Sequence, residues 1–235
     1  MEEVNKKSEN VEAMFNSIAS NYDFLNHFLS LGIDKTWRRR LVKQLAKENP
    51  RRVIDIATGT ADLSIQLAMH HKSVIIDGVD ISENMLNVGR NKIWKCQLEG
   101  RINLHQGSSL NLPFNDAEYD AAMVAFGVRN FEDLSKGIAE IYRVLRVGGS
   151  FYVLEFSMPS KFPMSNFYRF YFRKVLPFIG GLVSGSRSAY TYLPESVFAF
   201  PEKEKFIEIM TTVGFKNCTY KRLTFGVASI YIGYK

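Results

Sequence analysis

The sequence has few cysteines, no secretion signal and no large excess of charge of one sign. Cys96 and Cys218 are the two cysteines among 235 residues, which excludes a disulfide scaffold and suits a reducing compartment. The first ten residues, MEEVNKKSEN, lack the apolar core of a signal peptide. The histidines show no metal-ligand spacing with acidic residues, so no metal is predicted. We therefore expect a cytoplasmic protein without a metal centre.

The charge balance is basic but modest. Thirty basic residues stand against 24 acidic ones, which gives a net charge of +6 and a pI near 9.2. An anionic partner surface is plausible with this charge. The basic residues occur in short patches, and no RNA-recognition motif or added basic domain is present, so nucleic acid is not the predicted partner. A hydrophobic share of 46% over this length is sufficient for one α/β domain covering residues 1–235.

The stretch RRVIDIATGTADL, residues 51–63, organises the chain. An apolar run without helical period predicts a strand buried on both faces of a parallel sheet. It stops at Thr58-Gly59-Thr60, and residues 61–68 read as a helix. Such a junction brings backbone N–H groups to the carboxyl edge of a sheet, where α/β proteins bind nucleotide-like ligands. A turn with a single glycine is weaker evidence for a nucleotide-like ligand than the G-x-G-x-x-G fingerprint, so the prediction of a ligand needs further support.

A second strand supplies that support. Residues 74–80 form another apolar run, and Asp80 lies about twenty residues past the turn, where a carboxylate accepts hydrogen bonds from ribose hydroxyls. The alternative is that Asp80 only caps the helix that begins near Ser82.

Strands alternate with helices along most of the chain. This rhythm predicts a Rossmann-like α/β fold with a mostly parallel sheet. Helices are predicted from Val11 to Leu31, ended by Gly32, and from Asp34, which is predicted as an N-cap. The fifth strand is predicted over Ser150–Phe156. Residues 1–50 would form a helical lid over the carboxyl edge of the sheet.

Residues 158–200 break the rhythm. Aromatic residues between Phe162 and Phe178 are interleaved with lysine and arginine, and prolines and a glycine pair interrupt the stretch too often for a bilayer span. The stretch predicts either a substrate mouth and contact with an anionic membrane surface or an ordinary helical insertion in the core.

The end of the chain discriminates between cofactors. Two closely spaced strands, from Gly214 to Leu223 and from Gly226 to Tyr234, are readable as a hairpin. A dinucleotide enzyme would continue with a second βαβ half. One reversed strand in a parallel sheet with a single nucleotide-sized site favours S-adenosylmethionine over NAD.

Three motifs resemble those of the class I S-adenosylmethionine-dependent methyltransferases, and among them the C-methyltransferases of menaquinone and ubiquinone biosynthesis. They span nearly the whole chain: Tyr22-Asp23-x-x-Asn26-x-x-x-Ser30 leading to Trp37, Phe126-Gly127-Val128-Arg129-Asn130, and Arg143 to Ser157. The sequence departs from the family pattern in three places. Asp34 stands where histidine is usual, Val147 replaces a commoner proline, and Ala57 and Ala61 replace frequent glycines.

The resemblance implies a fold of seven strands, with one C-terminal antiparallel strand, N-terminal helices and an inserted helical lid. It also implies roles for cofactor-binding residues. Thr60 and the Gly59 backbone would hold the methionine end of the cofactor, and Asp80 the ribose. Ser108, Ser109 and Ile81 would lie beside the adenine. Asp55 and Asp62 would either contact the cofactor ammonium through water or satisfy the turn backbone.

Methyl transfer to a quinol ring needs a base or a cation that stabilises a phenolate. The candidates are Arg129 as the cation, His27 as a base, and Tyr22. Asn130, Tyr190 and Tyr192 are candidates for positioning. Structural roles remain open alternatives for each: an ion pair for Arg129, a surface position for His27 and simple ring burial for Tyr22.

The predicted acceptor is a polyprenylated demethylmenaquinol, taken from the inner face of the cell membrane by a peripherally bound enzyme. The alternatives are a benzoquinol of the ubiquinone pathway, another small acceptor, an RNA methylating protein and a catalytically silent adenosyl-binding scaffold. The exposed aromatic stretch also leaves room for a homodimer.

Overall fold

The computed structural model describes residues 6–23, 27, 30, 32–160, 162–163, 165–166, 168 and 187–235, with side chains in the last range described from Tyr192 onward. Most of the aromatic stretch predicted between Phe162 and Phe178, and the side chain of Tyr190, lie outside these residues. Within the described part, no helix has both the length and the apolar character needed to cross a bilayer.

Helices and strands alternate through the chain. The helices are α1 Ser8–Ile18, α2 Ile33–Leu45, α3 Asp62–His70, α4 Glu83–Lys95, α5 Leu134–Val144, α6 Arg187–Ala199 and α7 Glu204–Val213. The strands are β1 Arg52–Ile56, β2 Ile75–Asp80, β3 Ile102–Gln106, β4 Tyr119–Ala125, β5 Leu145–Phe156, β6 Lys216–Leu223 and β7 Ala228–Tyr234. Short 3₁₀ turns cover Ala46–Glu48, Val128–Asn130 and Thr224–Gly226.

The described strands form one seven-stranded sheet in the order β3-β2-β1-β4-β5-β7-β6. Strands β1 to β5 pair in parallel, and β7 runs antiparallel between β5 and β6. The order reverses between β1 and β4, so their carboxyl ends open a crevice where α/β sheets bind ligands. The predicted mixed sheet is confirmed.

Apolar layers cover both faces of the sheet. On one face Trp37, Leu41 and Leu45 of α2 pack with residues of α3, and on the other Ile138, Ile141 and Phe206 of α5 and α7 fill the layer. Burial on both faces explains why the central strands are continuous apolar runs rather than alternating ones.

Helix α1 borders the carboxyl edge of the sheet, whereas α2 packs on one of its faces, and the lid role of residues 1–50 stays a prediction. Ile18 and Ala19 join Met85 of α4 and Val197 of α6 in a third buried cluster. Helix α1 is thereby packed against two elements that border the crevice.

Several predicted boundaries are wrong. Helix α1 ends at Ile18 rather than Leu31, because the chain turns at residues 19–21. Gly32, with a φ of +73°, is the N-cap of α2. Asp34 lies inside the first turn, where its carboxylate bonds to side chains instead of capping the helix. Strand β5 begins at Leu145, five residues before the predicted Ser150, and pairs there with Tyr119.

Candidate active site

A cavity of about 690 Å³ lies at the carboxyl edge of the sheet, and we call it the edge cavity. Its lining includes the backbone turn after β1, the ends of β2 and β4, and residues of α1 and α4. Gly59, Asp80, Ile81, Ser108 and Ser109, which were predicted to bind a cofactor, all line it.

Asp80 is the main charged group of this cavity on the sheet. Its carboxylate accepts backbone N–H bonds from Gly59 (2.8 Å) and Ser82 (2.9 Å). Burial raises the pKa of Asp80 to about 6, although these backbone donors oppose the shift. A carboxylate has about four acceptor sites, and the Ile81 backbone N–H also bonds to this one, so acceptor capacity is left for a hydroxyl group of a ligand. The prediction that Asp80 only caps a helix is incomplete, because Ser82 is the residue that caps α4, through Met85 N–H.

Left-handed backbone shapes the turn between β1 and α3. Ala57, Gly59 and Ala61 all have positive φ angles, of 53°, 56° and 63°. Asp55, in β1, stabilises the turn because it accepts hydrogen bonds from Thr58 Oγ1 (2.7 Å) and Ser64 Oγ (2.6 Å). Asp55 therefore satisfies the local turn, which is the structural alternative predicted for it.

Two predicted cofactor residues point into an ion network instead. Thr60 Oγ1 donates to Asp23 Oδ1 (2.5 Å), and Asp62 is hydrogen-bonded to Lys92, which also reaches Asp23 (2.7 Å). Neither Thr60 nor Asp62 lines the edge cavity. Direct contact of the Thr60 side chain with a cofactor and water-mediated contact of Asp62 stay predictions, and in this structure Asp23 and Lys92 of α4 engage these polar atoms.

His27, the predicted base, lies between two carboxylates. Its Nδ1 lies 2.8 Å from Asp34 Oδ2 and its Nε2 lies 3.6 Å from Asp62 Oδ2. Both ring nitrogens face carboxylates, and the ring borders a separate surface depression with Lys35 and Lys92. A general base needs a nitrogen directed at the substrate, so these contacts favour the structural alternative for His27, and its role as a base stays a prediction.

A second cavity, of about 630 Å³, adjoins the first, and we call it the aromatic cavity. Phe15, Tyr22 and Phe126 line both cavities and so form the boundary between them. Phe126 and Phe156 stack in the aromatic cavity with ring centroids 4.5 Å apart. Tyr22, predicted as a catalytic candidate, contacts Phe15 edge to face at 6.0 Å. Its position at the boundary keeps it a candidate for the site.

Arg129 is buried in the wall of the aromatic cavity, only 5% exposed. Its Nη1 donates to Glu155 Oε1 (2.9 Å) and to the Phe126 carbonyl, and its Cζ lies 5.5 Å from the Phe156 ring centroid. Among the described residues, no acceptor satisfies the buried Nε of Arg129. A buried donor without a partner costs free energy, so the group is suited to a ligand oxygen.

The predicted positioning residues Asn130 and Tyr192 meet at the same place. Tyr192 Oη donates to Asn130 Oδ1 (3.1 Å), and burial raises the pKa of Tyr192. Lys6 lies near Arg129 and Glu155 as well, where burial and the neighbouring guanidinium lower the pKa of its ammonium.

Sequence reasoning gave no role to Glu155, to the pair Asp34 and Arg38, or to Ser8 and Glu132. Glu155 is a carboxylate inside the strand run VLEF, and a buried acid in such a run needs a charged partner. Asp34 and Arg38 are spaced four residues apart on either side of Trp37, a helical pairing distance. These signals were present in the sequence, but which partner each would find depends on tertiary packing.

Comparison with solved structures identifies the fold. A methyltransferase from Thermotoga maritima, described as S-adenosylmethionine-dependent, superposes with a TM-score of 0.67 at 20% identity. The match covers 95% of this chain and 99% of that one. The fold is therefore that of the class I S-adenosylmethionine-dependent methyltransferases.

The family follows from the sequence comparisons. The chain belongs to the ubiE/COQ5 methyltransferase family, whose model matches residues 3–235. A demethylmenaquinone methyltransferase of Bacteroides fragilis is 45% identical over 230 residues, 98% of this chain and 94% of that protein. A ubiquinone/menaquinone biosynthesis C-methyltransferase of Geotalea daltonii is 44% identical over 236 residues, the full length of both. The predicted class of enzyme and its cofactor, S-adenosylmethionine, are confirmed.

Proposed function

We propose that this protein methylates a ring carbon of a polyprenylated demethylmenaquinol and so produces a menaquinol. The proposal is supported by the names of the relatives at 44–46% identity and by the pair of adjoining cavities. The observation that carries it is the shared wall of Phe15, Tyr22 and Phe126, with Asp80 in one cavity and the partly unsatisfied Arg129 in the other.

The edge cavity fits S-adenosylmethionine. Asp80 would accept the ribose hydroxyls, Ile81 and Met85 provide apolar surface for the adenine, and Ser108 and Ser109 lie beside it. When bound, the cofactor supplies an electrophilic methyl group on its sulfonium. The chain must then hold an acceptor carbon about 3 Å away and exclude water.

Arg129 would stabilise the acceptor in its reactive form. Deprotonation of the quinol hydroxyl raises the electron density of the neighbouring ring carbon, and a fixed guanidinium favours the resulting phenolate. Glu155, fully buried, holds Arg129 in place through Nη1 and accepts its backbone N–H at 3.3 Å. The ring carbon takes the methyl group, its hydrogen leaves as a proton, and S-adenosylhomocysteine is the by-product.

Methyl transfer by the purified protein tests the proposal. Reduced demethylmenaquinone with a short prenyl chain should yield the ring-methylated product, identified as a C-methyl compound by mass spectrometry and NMR. A demethylated benzoquinol assayed in parallel tests the ubiquinone-pathway alternative. The proposal would be refuted if the protein, with S-adenosylmethionine bound, formed C-methylated product from neither quinol.

A paired substitution tests the role of Arg129. Replacing both Arg129 and Glu155 by glutamine removes the cation without leaving its counter-ion unpaired. We expect kcat to fall about 100- to 1000-fold, the usual loss for one oxyanion-stabilising group. Affinity for S-adenosylhomocysteine, measured by calorimetry, should stay unchanged because neither side chain lines the edge cavity.

We further propose that the enzyme contacts an anionic membrane surface near the aromatic cavity. Phe162 and Phe225 are 80% and 78% exposed. A hydrogen bond from Arg222 Nη1 to Ser160 Oγ (3.2 Å) joins the two chain segments that contain them. Thr224, next to Phe225, accepts a hydrogen bond from Trp37, which contacts both Phe126 and Phe156. The exposed Phe225 side chain is thus connected to the cavity wall through Thr224 and Trp37.

Vesicle co-sedimentation tests the membrane contact. Phe162→Ser with Phe225→Ser should weaken binding to vesicles that contain anionic phospholipid. Trp94→Ser is the matched control, because Trp94 is 67% exposed on α4. Equal binding by wild type and the double variant would contradict this proposal.

A further inference from the structure

The aromatic cavity contains a second buried arginine-carboxylate pair. Asp34 and Arg38, on the first two turns of α2, are 2% and 7% exposed, and both line this cavity. Their carboxylate and guanidinium form an ion pair, as Glu155 and Arg129 do. One cavity therefore has two fixed guanidinium groups, each with its own buried counter-ion.

The two arginines lie against two phenylalanine rings that contact each other. The Cζ of Arg38 lies 5.4 Å from the Phe126 ring centroid, and that of Arg129 lies 5.5 Å from the Phe156 ring centroid. Each guanidinium thus lies against a different member of the stacked pair. A flat ligand beside these rings would have a cationic donor available from each arginine.

Asp34 is an ionised anchor rather than a base. Burial alone would raise its pKa, but the Ser30 hydroxyl, Arg38 and His27 together hold the pKa of Asp34 below its ordinary value. Ser30 Oγ donates to Oδ1 at 2.6 Å, and His27 Nδ1 lies 2.8 Å from Oδ2. Three donors thus engage this carboxylate, and the group of the pair that can donate to a ligand oxygen is Arg38.

A guanidinium has five N–H donors. The pairing of Arg38 with Asp34 runs through Nη1, which leaves the donors on Nε and Nη2. Such donors, fixed by a buried carboxylate, recognise an oxygen with good geometric selectivity.

We propose that Arg38, held by Asp34, is a specificity-determining residue that receives the quinol hydroxyl para to the one received by Arg129. The inference rests on the proposed function, since it assigns the second oxygen of the same acceptor. The cavity would then have one buried arginine-carboxylate pair for each of the two oxygens of a 1,4-dihydroxy ring. A monohydroxy ring would leave Arg38 without its ligand partner.

Binding constants test this assignment more cleanly than rates, because removing a hydroxyl also lowers the reactivity of the ring. The first probe is a 2-prenyl-1,4-naphthalenediol. The second is the corresponding naphthol, 3-prenyl-1-naphthol, which keeps the hydroxyl beside the accepting carbon and lacks the other one. Both are titrated anaerobically into the protein saturated with S-adenosylhomocysteine. Wild type should bind the diol about tenfold to a hundredfold more tightly, as expected for one charged hydrogen bond.

Two variants remove the second contact. Arg38→Lys keeps the charge but loses the planar donor set, and the double change Asp34→Asn with Arg38→Gln removes both charges together. Each should bind the two probes within about threefold of one another, through loss of diol affinity. Arg52→Gln is the control and should keep the wild-type preference. Arg52 also pairs with two carboxylates, of Asp77 and Glu118, and lies 5.1 Å from an aromatic ring centroid, but lines neither cavity.

Three outcomes separate the claims. Equal affinity of wild type for the two probes would overturn the role of Arg38, even if the variants failed to fold. The same holds if the variants bind S-adenosylhomocysteine normally and keep the preference for the diol. If wild type binds neither probe and methylates no quinol, the proposed function itself fails.

Discussion

Asp80 is the residue through which ligand binding in the edge cavity would depend on pH. Its carboxyl is buried, and its pKa stands at about 6 against an ordinary value of 3.8. Because the pKa of Asp80 is higher in the folded protein than in the unfolded chain, the ligand-free protein loses stability as pH rises from about 3.8 to about 6. Hydroxyl donors of a bound ribose favour the ionised form, so they oppose this shift.

We therefore predict that affinity for S-adenosylhomocysteine falls as pH is lowered through about 6. Calorimetry should show a dissociation constant about tenfold higher at pH 5 than at pH 7.5. Asp80→Asn should bind more weakly and lose this dependence. Asp55→Asn should keep it, although burial also raises the pKa of Asp55 to about 6, because Asp55 does not line the cavity. A pH-independent wild type would contradict the role of Asp80.

At this scale, the sequence predicted best the residues whose position follows from the backbone. Asp80, Ile81, Ser108 and Ser109 follow parallel strands, and strand ends meet at one edge whatever the side chains do. The polar atoms of Thr60 and Asp62 are instead engaged by Asp23 and Lys92, which come from distant segments. Long-range pairings of that kind leave no local pattern in the sequence.

The turn after β1 is the element with the most unusual backbone. Ala57 has a φ of 53° although it is not glycine, and an L-residue in this region costs about 1 kcal/mol relative to glycine. Close packing prevents the opposite exchange nearby: a Cβ on Gly127 would lie 2.5 Å from the Cβ of Ala57. The departure from the family glycine pattern noted at Ala57 is thus a source of strain.

Ala57→Gly should accordingly raise the free energy of unfolding, by up to about 1 kcal/mol. Ala68→Gly, inside α3, is the comparison and should lower it by about 1 kcal/mol. Urea denaturation measures both. A loss of stability in Ala57→Gly as large as that in Ala68→Gly would show that the left-handed backbone carries no strain.

An acidic residue, Glu132, contacts the N-terminus of helix α1 beside the edge cavity. Glu132 Oε2 accepts hydrogen bonds from the backbone N (2.9 Å) and Oγ (2.6 Å) of Ser8, and both residues line the cavity. These bonds lower the pKa of Glu132. An acceptor at a helix N-terminus satisfies donors that the helix itself leaves free.

Removing this contact should weaken cofactor binding. We predict that Glu132→Ala raises the dissociation constant for S-adenosylhomocysteine about threefold to tenfold. Asp133→Ala is the matched control: its neighbouring carboxylate caps α5 through Lys136 N–H (2.9 Å), away from the cavity. Equal affinities of the two variants would show that the Ser8 contact does not hold the lid.

Element order was predictable and element bounds were not. The alternation of apolar runs and amphipathic stretches gives the parallel sheet and its reversed C-terminal strand. The bounds of α1, α2 and β5 depend on side-chain bonds and pairing partners, such as Asp34 with Ser30 and Leu145 with Tyr119. Local propensity does not contain this information.

For the whole molecule, distant segments combine into one unit around the site. Trp37, from the N-terminal helices, donates to Thr224 beside β7, and Ser8 pairs with Glu132 across 124 residues. The predicted division into a lid of residues 1–50 and a sheet thus describes parts of one domain, as we propose, rather than separable units.

The most direct test of the function is the quinone pool of a strain that lacks this chain. Mass spectrometry of lipid extracts should show accumulation of demethylmenaquinone, one methyl group short of menaquinone, with recovery when the wild-type chain is restored. The Arg129→Gln and Glu155→Gln double variant should fail to restore it. An unchanged menaquinone pool in the deletion strain would contradict the account.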